Sequence, residues 1–157
     1  SINTKTYLCY NNIVWNNIQV REDISNVEEA YEYIEKYLNI TALKVSYMPS
    51  AMIFESISLS ENYGIMRFKY QTEYLRVYNH KIETQVNGIQ KSDKRERVKE
   101  IHNPWLDQDI EVYQESSEIG RPKYSATIKS DDASYIVTGD ISKDEFIKVV
   151  EGLYINR

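Results

Sequence analysis

Residues 123–154, "KYSATIKSDDASYIVTGDISKDEFIKVVEGLY", decide the fold class, because the hydrophobic rhythm passes from that of strands to that of a helix within them. In the first half apolar residues alternate with polar ones, the period of a half-buried strand. A four-residue turn, Ser130 to Ala133, would set Lys129 opposite Ser134 and gather Tyr124, Ala126, Ile128, Tyr135 and Val137 on one face. An even loop length keeps the two apolar sets together. Asp131 and Asp132 are then turn residues rather than a carboxylate pair for acid/base work. In the second half Ser142 stands as N-cap with Glu145 three residues on, a capping box, and Ile141 before the cap can pack on Phe146 as a hydrophobic staple. Phe146, Ile147, Val149, Val150 and Leu153 form one apolar stripe, and Gly152 ends the helix. A helix that must bury such a stripe directly after an antiparallel hairpin implies an α+β domain.

The rest of the chain fits that frame. In "DISNVEEAYEYIEKYLN" Ser25 and Glu28 spell a second capping box, and Val27, Ala30, Ile34, Tyr37 and Leu38 recur at helical spacing, so a helix is predicted over 26–38. "KTYLCYNNIVWNNIQV", residues 5–20, reads as a hairpin around Asn11-Asn12. From Leu43 to Val137 the period is two, punctuated by Pro49, Gly64, Asn87-Gly88, Pro104 and Gly120-Arg121-Pro122. The clearest strands there are "MIFESISLS", "IMRFKY", "YLRVYNHKI", "IEVY", "KYSATIK" and "SYIVTG". The charge-dense segment "QKSDKRERVKE", residues 90–100, reads as a solvated loop. The expectation is one domain over 1–157, an antiparallel sheet of six to eight strands packed on helices 26–38 and 143–151, and the soluble part of a longer chain.

Composition excludes several functions. At 157 residues the chain can bury roughly two-thirds of its unfolded surface without a disulfide or metal staple. A net charge of −5 disfavours nucleic acid as the main partner, since phosphate binding needs a surplus of Lys and Arg. The single cysteine, Cys9, has no partner for a disulfide within the chain or for a metal site. A nucleophilic Cys9 would need His80 or His102 as base, and neither lies in a recognisable signature. Asp107, Asp109, Glu111 and Glu118 fall at positions 1, 3, 5 and 12 of a calcium-loop frame, but Val112 stands where that loop turns on glycine and "IEVY" reads as a strand. No glycine-rich phosphate loop, GxSxG or HExxH occurs. No catalytic constellation, metal site or cofactor is therefore expected.

One stretch suggests binding. If the turn at Gln71-Thr72 in "IMRFKYQTEYLRVY" is even, Met66, Phe68, Leu75 and Val77 share the core face. Arg67, Lys69, Tyr74, Arg76 and Tyr78 then share the other, a basic and aromatic surface in an acidic protein, suited to an anionic or peptide-like ligand. Trp105, after Asn103-Pro104, is a second candidate anchor.

The order of these pieces resembles the bacterial domain of unknown function 4367, found largely in Gram-positive bacteria. Tyr47-Met48-Pro49 stands for that family's "YLP-x-G" turn, with Ser50-Ala51-Met52 where its glycine is expected. Tyr135 to Phe146 stands for its closing strand and helix, and Ile128 replaces a tryptophan frequent before the last strand. The resemblance spans Val27 to Tyr154. It implies an extracytoplasmic domain, often tethered by an upstream membrane helix and sometimes beside sigma-factor regulation, with no established catalysis. The resulting expectation is a non-catalytic sensor or interaction module outside the cytoplasmic membrane, with an unknown protein or small ligand as partner and the membrane only through an upstream anchor. The alternative is a carrier holding a lipid or other apolar ligand between sheet and helices.

Overall fold

The computed structural model describes residues 2–10, 13–21, 23–82, 95–116 and 120–155, with side chains from residue 20 onward. The expected α+β fold is present. Nine antiparallel strands form one sheet: β1 (Ile2–Tyr10), β2 (Ile13–Arg21), β4 (Ile53–Leu59), β5 (Tyr63–Tyr70), β6 (Glu73–Lys81), β7 (Arg95–Asn103), β8 (Gln108–Glu115), β9 (Lys123–Lys129) and β10 (Ala133–Gly139). Helices α1 (Val27–Leu38) and α2 (Lys143–Glu151) share one face of it, and two short strands, β3 (Lys44–Val45) and β11 (Leu153–Tyr154), pair beside them.

The spatial order is β1-β2-β4-β5-β6-β10-β9-β8-β7. With β3 set aside, every neighbouring pair but one joins strands that follow each other along the chain. The exception is β6 with β10, from Ala133 opposite Lys81 to Gly139 opposite Leu75. Two meanders thus meet at a single seam.

The core lies between sheet and helices. Met66, Phe68, Leu75, Val77, Tyr124, Ala126, Ile128, Tyr135 and Val137 are all buried, as their alternation predicts, against Ala30, Ile34 and Leu38 of α1 and Phe146, Val149 and Val150 of α2. Helix α1 comes close to β5 at Gly64, where a Cβ would lie 3.2 Å from Ile34 Cγ1 and 3.3 Å from Leu59 Cδ2. Three buried polar residues anchor the irregular segments. Asn79 Oδ1 accepts from Leu43 N–H at 2.9 Å, and Tyr135 Oη donates to Thr41 O at 2.6 Å. Asn103 Nδ2 donates to Val150 O and Leu153 O at 2.8 and 2.9 Å, while its Oδ1 accepts from the N–H groups of Trp105 and Leu106.

Helix α2 starts as predicted, with Ser142 Oγ accepting from Glu145 N–H at 3.2 Å and Ile141 buried beside it. The Glu145 carboxylate, however, accepts from Tyr47 Oη at 2.6 Å, which ties the helix start to the segment after α1 and raises the tyrosine's pKa. At α1 the cap is Asn26, not Ser25. Asn26 Oδ1 accepts from Glu29 N–H at 2.9 Å and its amide meets the Glu29 carboxylate, so the box is shifted by one residue from Ser25/Glu28. Both residues can cap, and the amide of Asn26 can reciprocate with a carboxylate where a serine has only one short arm.

The 90–100 reading is corrected from Arg95 onward. That part is edge strand β7, with a register shift between Arg97 and Lys99, while residues 90–94 and the Asn87-Gly88 turn lie outside the described residues. An edge strand needs no apolar beat on its outer side, and charged residues there discourage pairing with another chain. The 5–20 hairpin is present as β1 with β2, its turn residues Asn11-Asn12 outside the described set.

Candidate functional site

The turn at Gln71-Thr72 is even, since Tyr70 pairs with Glu73, and Gln71 takes a φ of 54° to make it. Arg67 therefore faces Arg76, Lys69 faces Tyr74 and Ile65 faces Tyr78 on the sheet face away from both helices. The Arg67 guanidinium carbon lies 4.3 Å and that of Arg76 4.9 Å from the centre of the Tyr74 ring, with Lys69 Nζ at 5.9 Å. Three cations thus gather on one ring, whose negative face offsets part of their mutual repulsion.

Carboxylate compensation is incomplete. Glu55, at the irregularity in β4, serves both Arg67 (Nε–Oε1 3.1 Å) and Lys69 (Nζ–Oε2 3.7 Å). Arg67 Nε is nevertheless buried without a hydrogen bond, so its ion pair with Glu55 satisfies distance but not donor alignment. Among the described residues no acid pairs with Arg76. Tyr74 itself is held from behind by Asp140, whose Oδ1 accepts from Tyr74 N–H at 2.7 Å. Arg121 closes the clamp, with Nη2 donating to Asp140 Oδ2 at 2.8 Å and to Thr72 O at 3.1 Å. Gly139 permits this approach, because a Cβ there would meet Tyr74 O at 2.8 Å. The "GD" that closes β10 consequently fixes the turn that bears the cationic ring cluster.

The same face continues across the seam. In register, Arg76 faces Thr138, and Thr138 faces Ser125. Thr138 is fully buried and its Oγ1 has no hydrogen-bond partner; Ser125 is buried beside it. Burial lowers the pKa of Lys123, with Glu115 opposing and Arg76 adding to that shift. Burial likewise raises the pKa of Tyr78, against the pull of Arg76 and Arg67.

Of the predicted site residues, Arg67, Lys69, Tyr74 and Arg76 are half-buried and together. Tyr78 shares their face but is 5% exposed, packed in a row with Ile65 and Ile136, so it forms part of the floor and not of an accessible surface. Trp105 is 55% exposed but stands apart, in the turn between β7 and β8. The strand registers put that turn beside the Ser130–Ala133 turn, at the opposite end of the sheet from Gln71-Thr72. His80 is buried and stacked on Tyr63 with ring centres 4.3 Å apart. His102 is exposed and bonded to Asp109 at 2.8 Å, and Glu111 engages Arg97 and Tyr113. Among the described residues no three His, Cys, Asp or Glu side chains converge as metal ligands, and no helix is long and apolar enough to cross a membrane. The clamp residues Arg121 and Asp140, and the floor residues Thr138 and Ser125, were not anticipated; Arg121 and Asp140 bond residues distant in the chain, and Thr138 meets Arg76 only across the seam.

The family described as a domain of unknown function (DUF4367) matches residues 42–153. The chain belongs to this family. The match begins after α1, so it is narrower than the resemblance drawn from Val27, and it contains every described residue of the Tyr74 cluster and its clamp. No curated protein and no solved structure matches the chain.

Proposed function

We propose that this domain is a non-catalytic interaction module that docks a partner on the helix-free face of its sheet, around Tyr74. The observation that carries the reading is the gathering of Arg67, Lys69 and Arg76 on one half-buried ring, where among the described residues the one paired acid, Glu55, serves only Arg67 and Lys69. A domain gains nothing in stability from crowding like charges, whereas a pre-arranged set of cations and a ring is what an anionic partner engages. The close contact of α1 with β5 at Gly64 weighs against an apolar ligand held between them. The resemblance to extracytoplasmic, membrane-tethered members of the family supports a place outside the cytoplasmic membrane.

Two measurements test this. A photo-crosslinking amino acid at Lys69, in the full-length protein in intact cells, should yield a discrete adduct that the same group at Glu32, on the exposed side of α1, does not. Equal adducts from both positions, or none from Lys69, would remove the surface. For the location, Glu32→Cys should react with a membrane-impermeant maleimide on intact cells; protection until lysis would place the domain inside.

A further inference from the structure

The two outer strands of the sheet are built differently. Strand β7 is guarded: Arg95, Glu96, Arg97, Lys99 and Glu100 are charged, and its register shifts between Arg97 and Lys99. Charges and bulges on an outer strand discourage the addition of a further strand. Strand β1, "INTKTYLCY", has neither device. Lys5 is its one charged residue, and its pairing with β2 keeps a single register from Ile2 opposite Arg21 to Tyr10 opposite Ile13. Among the described residues no strand pairs with the outer side of β1, so along these nine residues alternate backbone N–H and C=O groups point away from the sheet.

The same hairpin is also short of support on its inner side. Strand β2 pairs with β4 only from Gln19 to Arg21, opposite Leu59 to Ile57. Residues 13–18 therefore pair with β1 alone, and the hairpin runs on for about 20 Å as a two-stranded ribbon. A ribbon of two strands is marginal in water, and three or more are needed for it to be stable. What the hairpin lacks is thus a further strand along β1, whose backbone would meet the outward groups.

The inequality of the two edges favours one source for that strand. Were both edges open, copies would add β1 to β7 head to tail and grow without closing. With β7 guarded, the pairing left to identical chains is β1 on β1, which is isologous and closes at two. Each copy then supplies what the other lacks. We propose that two copies of this chain pair antiparallel through β1 about a two-fold axis at Thr6, the midpoint of Ile2–Tyr10, joining their sheets into one. Full overlap sets Thr6 opposite Thr6 and Lys5 opposite the partner's Tyr7, which keeps the two lysines from facing each other. Four strands then run side by side where one copy has two. The pairing is independent of the docking reading above and leaves the Tyr74 cluster of each copy uncovered.

Sedimentation velocity of the 157-residue chain up to about 0.1 mM should show a monomer–dimer equilibrium and nothing larger. In a Cys9→Ser background, Thr6→Cys should form a disulfide-linked dimer on mild oxidation, because directly opposite residues have Cα atoms about 5 Å apart, within the reach of a disulfide. Glu96→Cys, on β7, should not. Tyr7→Lys sets lysine opposite lysine twice across the axis and should weaken the dimer about tenfold, more at low salt. Tyr7→Glu, equally polar, sets glutamate opposite lysine and should stay within about threefold of the parent. This contrast of sign at one position separates pairing across β1 from general damage to the hairpin. A monomer at about 0.1 mM overturns the proposal and leaves the edge to a strand of another protein. So does a dimer that Tyr7→Lys and Tyr7→Glu weaken alike, or a disulfide formed as readily by Glu96→Cys as by Thr6→Cys. Oligomers larger than two overturn it as well, since a closed pair offers no second open edge.

Discussion

Ala51→Gly should stabilise the domain. Ala51 has a φ of 67° in the tight turn where Met52 N–H donates to Pro49 O at 3.1 Å. A turn with positive φ at its third residue favours glycine, because an L side chain there crowds the following carbonyl at a cost of about 1–2 kcal/mol. Glycine gives back part of that gain through the greater freedom of its unfolded chain, about 0.5–1 kcal/mol. Ala51 is exposed, so its methyl contributes no packing to lose. The net gain is about 0.7 kcal/mol, and at about 2.1 cal/mol/K of unfolding entropy per residue over 157 residues it raises Tm by about 2 °C. Urea and thermal unfolding should show the same sign, with an unchanged m-value. An unchanged or lower midpoint would mean that the turn is not under this strain and that this chain has no cost for lacking the family's glycine.

Three further outcomes follow from the geometry. Asn26→Ala should cost about 1 kcal/mol in chemical denaturation by removing the cap of α1, while Ser25→Ala stays within about 0.5 kcal/mol; the reverse order would restore the Ser25 cap. Gly139→Ala should destabilise by about 1–3 kcal/mol, because the new methyl meets the Tyr74 carbonyl at 2.8 Å, and amide spectra should show the Gln71-Thr72 turn displaced. Stability should also fall in alkali. Burial pushes the Tyr31 pKa up to about 12 from 10.0, burial raises that of Tyr135, and the bond to Glu145 raises that of Tyr47. Each is favoured in its neutral form by folding, so its contribution is complete below pH 10 and is lost as pH rises through the folded values. Unfolding midpoints at pH 8, 10 and 11.5 should hold and then drop, and a flat profile would contradict the buried placement of Tyr31.

Local grammar made most of the fold readable. Ser142 with Glu145, the even Ser130–Ala133 turn and the even Gln71-Thr72 turn each act over a few residues, and each set its element and register correctly. Strand β7 was missed because "RERVKE" has no period to read: it pairs on one side only and its register shifts near Val98. The site was half legible. Alternation alone placed Arg67, Lys69, Tyr74 and Arg76 on one face, but burial of Tyr78 depends on Ile65 across β5 and Ile136 across β10, the latter from the far end of the chain. The Arg121–Asp140–Thr72 clamp joins residues 19 and 49 positions apart and carries no local signal.

The seam between β6 and β10 has a consequence for how the domain assembles. Each meander can zip up from short hairpins at small loop-closure cost, whereas the seam brings together strands separated by most of the second meander. Its docking is thus the late, entropically expensive event in folding. Substitutions within a single hairpin should therefore act mainly on the rate of folding, and truncations at Val77 or Val137, buried partners across the late seam, mainly on the rate of unfolding. Arg121, bonded to Thr72 in the turn before β6 and to Asp140 after β10, crosses that same boundary, so it acts as a staple between the two meanders. Such a tie slows their separation and so lengthens the lifetime of the folded state.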